Sequence, residues 1–174
     1  TSEFRPAWWL PGPHLQTLWP RLARTPTLPP TRRERMELPD GDFVDLVWTL
    51  GDGPLVAVFH GLQGSAQSPY AAGLLAALER AGLRAVLMHF RGCSGEPNRL
   101  ARAYHAGDTG DIGHLIDHLA PDAAVGFSLG GNALLKYLGE QGPACRLRVA
   151  VAVSPPLVLS VGAERLRQGF SRLY

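Results

Sequence analysis

Ala123-Ala124-Val125-Gly126-Phe127-Ser128-Leu129-Gly130-Gly131-Asn132 is the stretch that decides the fold. An apolar run enters it, a glycine-x-serine-x-glycine turn interrupts it, and the helix-forming Ala133-Leu134-Leu135-Lys136-Tyr137-Leu138 leaves it. A serine on so tight a strand-to-helix turn adopts a strained backbone with its hydroxyl held clear of the sheet. Glycines flank it because a Cβ at either place would meet the neighbouring strand or helix. Ser128 is therefore the candidate nucleophile.

Outward from this turn, strands and helices alternate. Residues 54–60, 84–90, 123–127 and 146–153 read as continuous apolar strands of the buried, parallel kind. Helices are predicted over 69–81, 108–119 and 130–140. Ser68 and Pro69 mark the first helix start, with Tyr70, Leu74 and Leu78 on one face. Such spacing implies βαβ crossovers and a mostly parallel sheet covered on both faces. Residues 33–38 and 43–49, joined through Pro39-Asp40-Gly41-Asp42, form an antiparallel hairpin in front. Asp40, Asp42 and Asp45 lack the glycine and distal glutamate of a calcium loop, so they read as turn residues.

Residues 1–32 form a Pro- and Trp-rich arm; residues 1–30 alone carry seven prolines. Trp8, Trp9, Leu10, Leu15, Leu18 and Trp19 supply enough apolar area to pack on the body or to line a cleft, so an extended arm with short helical turns, lying on the core, is expected. Residues 33–154 make the core and 155–174 the beginning of a helical cap.

The chain has 174 residues, is 45% hydrophobic and carries a formal charge of +2, which suits one core and excludes a strongly polyanion-seeking surface. Arg21, Arg24, Arg32, Arg33 and Arg35 cluster loosely, but Glu34 and Glu37 interrupt them; a solvated face is expected there, with no nucleic-acid partner. Cys93 and Cys145 lack zinc or C-x-x-C spacing and read as reduced thiols of a cytoplasmic protein. Trp8-Trp9-Leu10 is stopped by Pro11, so no membrane span is expected. Neither a phosphate-loop lysine nor G-x-G-x-x-G is present, which argues against nucleotide binding.

A serine hydroxyl needs a base, an acid to orient the base, and donors for the oxyanion. The Leu129 N–H, at a helix start, is one candidate donor. The loop His60-Gly61-Leu62-Gln63-Gly64 follows an earlier strand and offers the Leu62 N–H as the second, with His60 and Gly61 bordering the substrate. The base is harder to find. No histidine follows Ser128; all six, at 14, 60, 89, 105, 114 and 118, precede it. His60 is placed to brace its loop, and His89, ending a strand, is the best internal alternative base. His105 reads as structural. His114 and His118 lie i, i+4 on a helix without the H-E-x-x-H glutamate, so an exposed polar face is preferred to a metal site.

Taken in order, these segments resemble the YheT-like branch of the α/β-hydrolase superfamily. The likeness runs from Phe4-Arg5-Pro6-Ala7-Trp8-Trp9-Leu10 and Pro13-His14-Leu15-Gln16-Thr17 through Leu38-Pro39-Asp40-Gly41-Asp42-Phe43. It continues in His60-Gly61-Leu62, His89-Phe90-Arg91-Gly92-Cys93-Ser94-Gly95, Tyr104-His105-Ala106-Gly107-Asp108-Thr109 and the Gly126–Asn132 turn. The resemblance implies a serine carboxylic-ester hydrolase with a Ser-Asp-His triad, without metal or other cofactor. It also implies a longer chain, with acid and histidine beyond residue 174. The substrate is expected to be a small ester with an apolar acyl group. Strand 146–153 would then lie at an edge, so an oligomer, or completion by a missing C-terminal half, is expected.

Overall fold

A computed structural model describes residues 5–23 and 27–168. Phe4, Arg24 and the Gly169-Phe170-Ser171 stretch lie outside the described residues. The elements in chain order are α1 (Pro13–Ala23), β1 (Thr31–Glu37), β2 (Phe43–Thr49), β3 (Leu55–Phe59), α2 (Pro69–Arg80), β4 (Arg84–Met88), α3 (Gly110–Leu119), β5 (Ala123–Phe127), α4 (Leu129–Gln141), β6 (Val149–Val153) and α5 (Leu159–Leu166).

The strands form one sheet in the order β1-β2-β4-β3-β5-β6. β1 pairs antiparallel with β2, and β2 antiparallel with β4, whereas β4, β3, β5 and β6 run parallel. The hairpin register runs from Thr31 opposite Thr49 to Glu37 opposite Phe43. Its turn closes through Leu38 N–H to Asp42 O (2.8 Å) and Gly41 N–H to Leu38 O (3.0 Å), with Gly41 at φ +83°. This is the mixed α/β arrangement expected from the alternation of strands and helices.

Side chains on successive strand residues point to opposite faces, and the sheet accordingly buries two cores. Val44, Leu46, Trp48, Phe59, Val86 and Met88 meet Ile112, Leu115 and Ile116 of α3 and Leu134 and Tyr137 of α4. Val47, Val58 and Leu87 on the other face meet Ala71 and Leu75 of α2. Each such aliphatic or aromatic side chain, fully buried, contributes about 1.5–3 kcal/mol. α2 seats its small residues deepest on the sheet. Ala71, Ala72 and Leu75 are its buried residues, Leu74 and Leu78 flank them, and Tyr70 is exposed. The small alanines let the helix sit close on the sheet and leave Tyr70 at its rim.

Two differences from the sequence reading concern the ends. The arm contains an eleven-residue helix, α1, with Pro20 inside it, rather than short turns alone. Trp9 packs edge-on to Trp19 with ring centroids 5.4 Å apart, Leu10 and Leu18 are half-buried, and Trp8 is 91% exposed. At the far side of the sheet β6 begins at Val149 rather than Arg146 and forms an edge on which Val149, Val151 and Val153 are exposed.

A buried charge network fastens the loop after β4 to the hairpin. Arg91 is 4% exposed and forks onto Asp111 of α3 (Nε–Oδ2 2.8 Å, Nη2–Oδ1 2.7 Å) while Nη1 reaches Asp42 Oδ2 at 2.9 Å. Asp42 Oδ1 accepts from Asn98 Nδ2 (2.9 Å), Arg99 N–H (3.0 Å) and Phe43 N–H (3.0 Å). Burial by itself would raise the Asp42 pKa, but these hydrogen bonds and Arg91 outweigh it and hold the carboxyl down at about 2. The turn aspartates thus serve as anchors for the loop. The arginines of β1 are likewise spent locally: Arg35 pairs with Asp45 and Glu96, Arg33 with Asp45, and Arg32 lies over the Trp48 ring.

Candidate functional site

The parallel strands β3 and β5 end side by side, and the turn that follows each strand meets the other there. On β5 the chain turns at Ser128 with φ 48° and ψ −114° and enters α4 at once. Left-handed backbone in a serine costs about 1–3 kcal/mol and persists only where the surroundings enforce it. Here Ser128 N–H donates to Val153 O (2.9 Å), Ser128 O accepts from Asn132 N–H (2.9 Å), and Asn132 Nδ2 donates to Pro156 O (2.9 Å). Closeness is the other constraint. A Cβ at Gly126 would lie 2.5 Å from Gly130 O, and one at Gly130 would lie 2.6 Å from Phe59 O, so only glycine lets strand, turn and β3 approach this far. Ser128 is exposed, in line with a hydroxyl held clear of the sheet.

The loop after β3 lies against this turn. A Cβ at Gly61 would stand 3.4 Å from Ser128 Cβ, which places the Gly61-Leu62 backbone beside the serine. Gly61 to Gly64 form a turn closed by Gly64 N–H to Gly61 O (3.0 Å), with Gln63 at φ 50° and the Leu62 side chain 62% exposed. The first amides of α4, beginning with Leu129 N–H, have no intrahelical acceptor and carry the positive end of the helix dipole. Ser128, Gly61, Leu62 and Leu129, which the sequence singled out from segments more than sixty residues apart, are thus gathered at one corner of the sheet.

His60 is a different matter. Its side chain is fully buried: Nε2 accepts from Phe90 N–H (3.1 Å) and Nδ1 lies 2.6 Å from Gly61 O, which makes Nδ1 the protonated nitrogen. The imidazole therefore braces the end of β3 against β4, the bracing role the sequence also suggested for it, with both ring nitrogens engaged. His89 is 4% exposed, its Nε2 accepts from Ala66 N–H at 3.2 Å, and β3 stands between its strand and β5. His105 Nδ1 accepts from Gly107 N–H at 3.1 Å. None of these four hydrogen bonds involves Ser128. His114 and His118 stack with centroids 6.1 Å apart, and among the described residues no third metal-binding side chain joins them.

Burial pushes both His60 and His89 down to about 4 from 6.5, and for His89 the neighbouring His60 adds to it. Both rings are neutral in the fold and take up protons in the unfolded chain below about pH 6.5. Their contribution to stability is present above that pH and is lost as pH falls toward 4. Melting curves between pH 7 and 4 should show Tm falling over that interval, with a shallower slope in His89→Gln.

Two residues of the corner escaped the sequence reading. Tyr70 hydroxyl accepts from Gly61 N–H at 2.9 Å, and Tyr104 hydroxyl accepts from Gln63 N–H at 2.6 Å. Tyr104 stacks on Phe90 (4.9 Å, 7°), and burial followed by its contact with Cys93 pushes the phenol up to about 12. Tyr70 carried one signal, its helical spacing with Leu74 and Leu78. Tyr104 heads a segment that carries the family resemblance, but nothing local ties it to Gln63, 41 positions away.

No family model matches the chain. Among curated proteins it is 45% identical to "Putative esterase YheT" of Escherichia coli (strain K12) over 185 residues, covering all of this chain and 54% of that protein. It is 30% identical to phospholipase ABHD3 of Bos taurus over 170 residues, covering 88% of this chain and 41% of that one. Among solved structures it superposes on the Pyrococcus furiosus esterase Pf2001 with a TM-score of 0.64 at 19% identity, over 83% of this chain and 58% of the other. That last likeness speaks to the fold: the same sheet recurs at low identity. No helix among the described residues is long and apolar enough to cross a membrane. The chain spans about half the length of the curated relatives it matches, and over its whole length it is a homologue, at 45% identity, of that YheT protein, built on the α/β-hydrolase fold.

Proposed function

We propose that these residues form the nucleophile and oxyanion half of a carboxylic-ester hydrolase. The observation that carries the reading is the placing of Ser128, on a left-handed strand-to-helix turn, between the amide start of α4 and the Gly61-Leu62 backbone. Ser128 Oγ attacks the ester carbonyl carbon and gives its proton to a histidine base. The carbonyl oxygen, now an anion, is held by the N–H groups of Leu62 and Leu129. Collapse expels the alcohol, which takes the proton back from the histidine, and water then cleaves the acyl-serine by the same route.

The histidine and the acid that orients it are supplied from outside residues 1–174. His60, His89 and His105 are hydrogen-bonded elsewhere, and no histidine follows Ser128. The substrate is a small ester with an apolar acyl group. Exposed Leu157, Val158, Leu159 and Val161 after β6, and the exposed tryptophans of the arm, supply apolar surface for it, and a relative bears the name phospholipase.

A fluorophosphonate probe tests this directly, because it reacts with an activated serine and leaves a phosphonyl adduct that peptide mass spectrometry locates. The expected result is an adduct at Ser128 in the natural full-length protein and much slower labelling of the 174-residue chain alone, which would lack the base. An adduct at another residue of the full-length protein, or none, would overturn the proposal. Full-rate labelling of the short chain would overturn the placing of the base outside it.

A further inference from the structure

Within the Gly61–Gly64 turn, the amides on either side of Leu62 are both taken by phenols. Gly61 N–H donates to Tyr70 at 2.9 Å and Gln63 N–H donates to Tyr104 at 2.6 Å, while Gly64 N–H closes the turn on Gly61 O. The two phenols come from different places, Tyr70 from the first turn of α2 and Tyr104 from the loop between β4 and α3. Each ring is itself held. Tyr70 lies on Phe127 with centroids 4.6 Å apart, next to the serine in sequence, and Tyr104 stacks on Phe90 and meets the buried His60 ring edge-on. The second glycine of the loop has a matching purpose: a Cβ at Gly64 would come 2.5 Å from the Tyr70 hydroxyl. Within the loop the Gly61-Leu62 peptide is held through its carbonyl alone, which accepts from Gly64 N–H and from the His60 ring, and the phenols hold the peptides on either side of it.

We propose that Tyr70 and Tyr104 are positioning residues that clamp the oxyanion loop from both sides and aim the Leu62 N–H at the carbonyl oxygen of a substrate on Ser128. The inference rests on the ester-hydrolase reading above. An oxyanion donor works by being aimed in advance at charge that appears only in the transition state. Two peptides anchored through their N–H groups leave the peptide between them little freedom to turn away. Neither phenol touches the substrate in this role. Each acts through the backbone.

The test uses the natural full-length protein with Tyr70→Phe, Tyr104→Phe and the double variant, which keep the rings and remove only the oxygens. Loss of one oxyanion donor costs about 10²–10³ in kcat, so a loosened donor should cost about 10-fold for each single variant and about 10²-fold for the pair. KM for an activated ester should stay within about twofold, because the ground-state carbonyl makes little demand on the hole. Inhibition by a trifluoromethyl ketone, whose serine adduct is an oxyanion, should weaken by the same factor as kcat/KM falls. A structural role alone would lower Tm and leave kcat per folded molecule and the ketone affinity unchanged, and that result overturns the clamp. If wild-type protein fails to label at Ser128, the hydrolase reading falls instead; if it labels normally while both variants keep full kcat, the clamp alone falls.

Discussion

On the proposed ester-hydrolase mechanism, Ser128→Ala in the natural full-length protein is expected to lower kcat/KM for an activated ester by about 10⁴-fold or more, since removing the nucleophile would leave only the catalysis due to binding and the oxyanion hole, itself about 10³-fold over water. Stability should hardly change, because alanine keeps the Cβ and inherits the same backbone at φ 48°. Ser128→Gly separates the two quantities. It loses the hydroxyl and with it the turnover, but it also relieves a left-handed conformation that costs a residue with a Cβ about 1–3 kcal/mol. A rise of a few degrees in Tm, about 2–4 °C per kcal/mol for a protein of this size, should accompany the loss of turnover. Steady-state kinetics and calorimetry on the two variants check both halves. Ser128→Ala retaining activity within tenfold of wild type would place the nucleophile elsewhere.

Arg91→Met should produce the largest loss of stability. The guanidinium is 4% exposed and holds Asp111 through two parallel hydrogen bonds and Asp42 through a third, all between 2.7 and 2.9 Å. Its removal strands carboxylates that are 0% and 5% exposed. Breaking a buried ion pair from one side costs about 3–5 kcal/mol, mostly through the charge left behind, so Tm should fall by about 10 °C or more. The sign of its pH dependence is distinctive. Without Arg91 the Asp42 carboxyl loses one of the partners that hold its pKa down while its burial still pushes it up, so its folded-state pKa rises and protonation relieves the penalty. The gap in Tm between variant and wild type should therefore narrow as pH is lowered from 7 to 4.5. A gap that is constant with pH would assign the loss to packing instead. Arg91→Lys keeps a charge but not the planar fork, and should fall between the two. Activity should suffer along with stability, because the same loop carries Tyr104.

Much of the architecture was legible because its determinants are local. Continuous apolar runs of five or so residues set β3, β4 and β5, and Pro69 set the start of α2. The turn at Pro39–Asp42 set the hairpin. Boundaries shifted by one or two residues at most of these. The arm was harder: a proline-rich segment offers little periodicity, and Pro20 argues against a helix that nonetheless forms from Pro13. The sequence shows Tyr70, Leu74 and Leu78 on one face of α2, but which residues go deepest is set by close packing on the sheet, which favours Ala71 and Ala72.

The turn at Ser128 and the loop at Gly61-Leu62 are each specified by residues adjacent in the chain: glycines where a Cβ would collide, and a strand run leading in. What stands around them is settled by folding. That His60 turns inward, that His89 serves Ala66, and that Tyr70 and Tyr104 take the amides beside Leu62 depend on partners up to 41 positions apart. A hydrogen bond leaves its mark on sequence only when donor and acceptor lie within the same turn. Across a sheet, the polar side chain that reaches a given amide is chosen by strand order and by helix placement, and these exist only once the chain has folded.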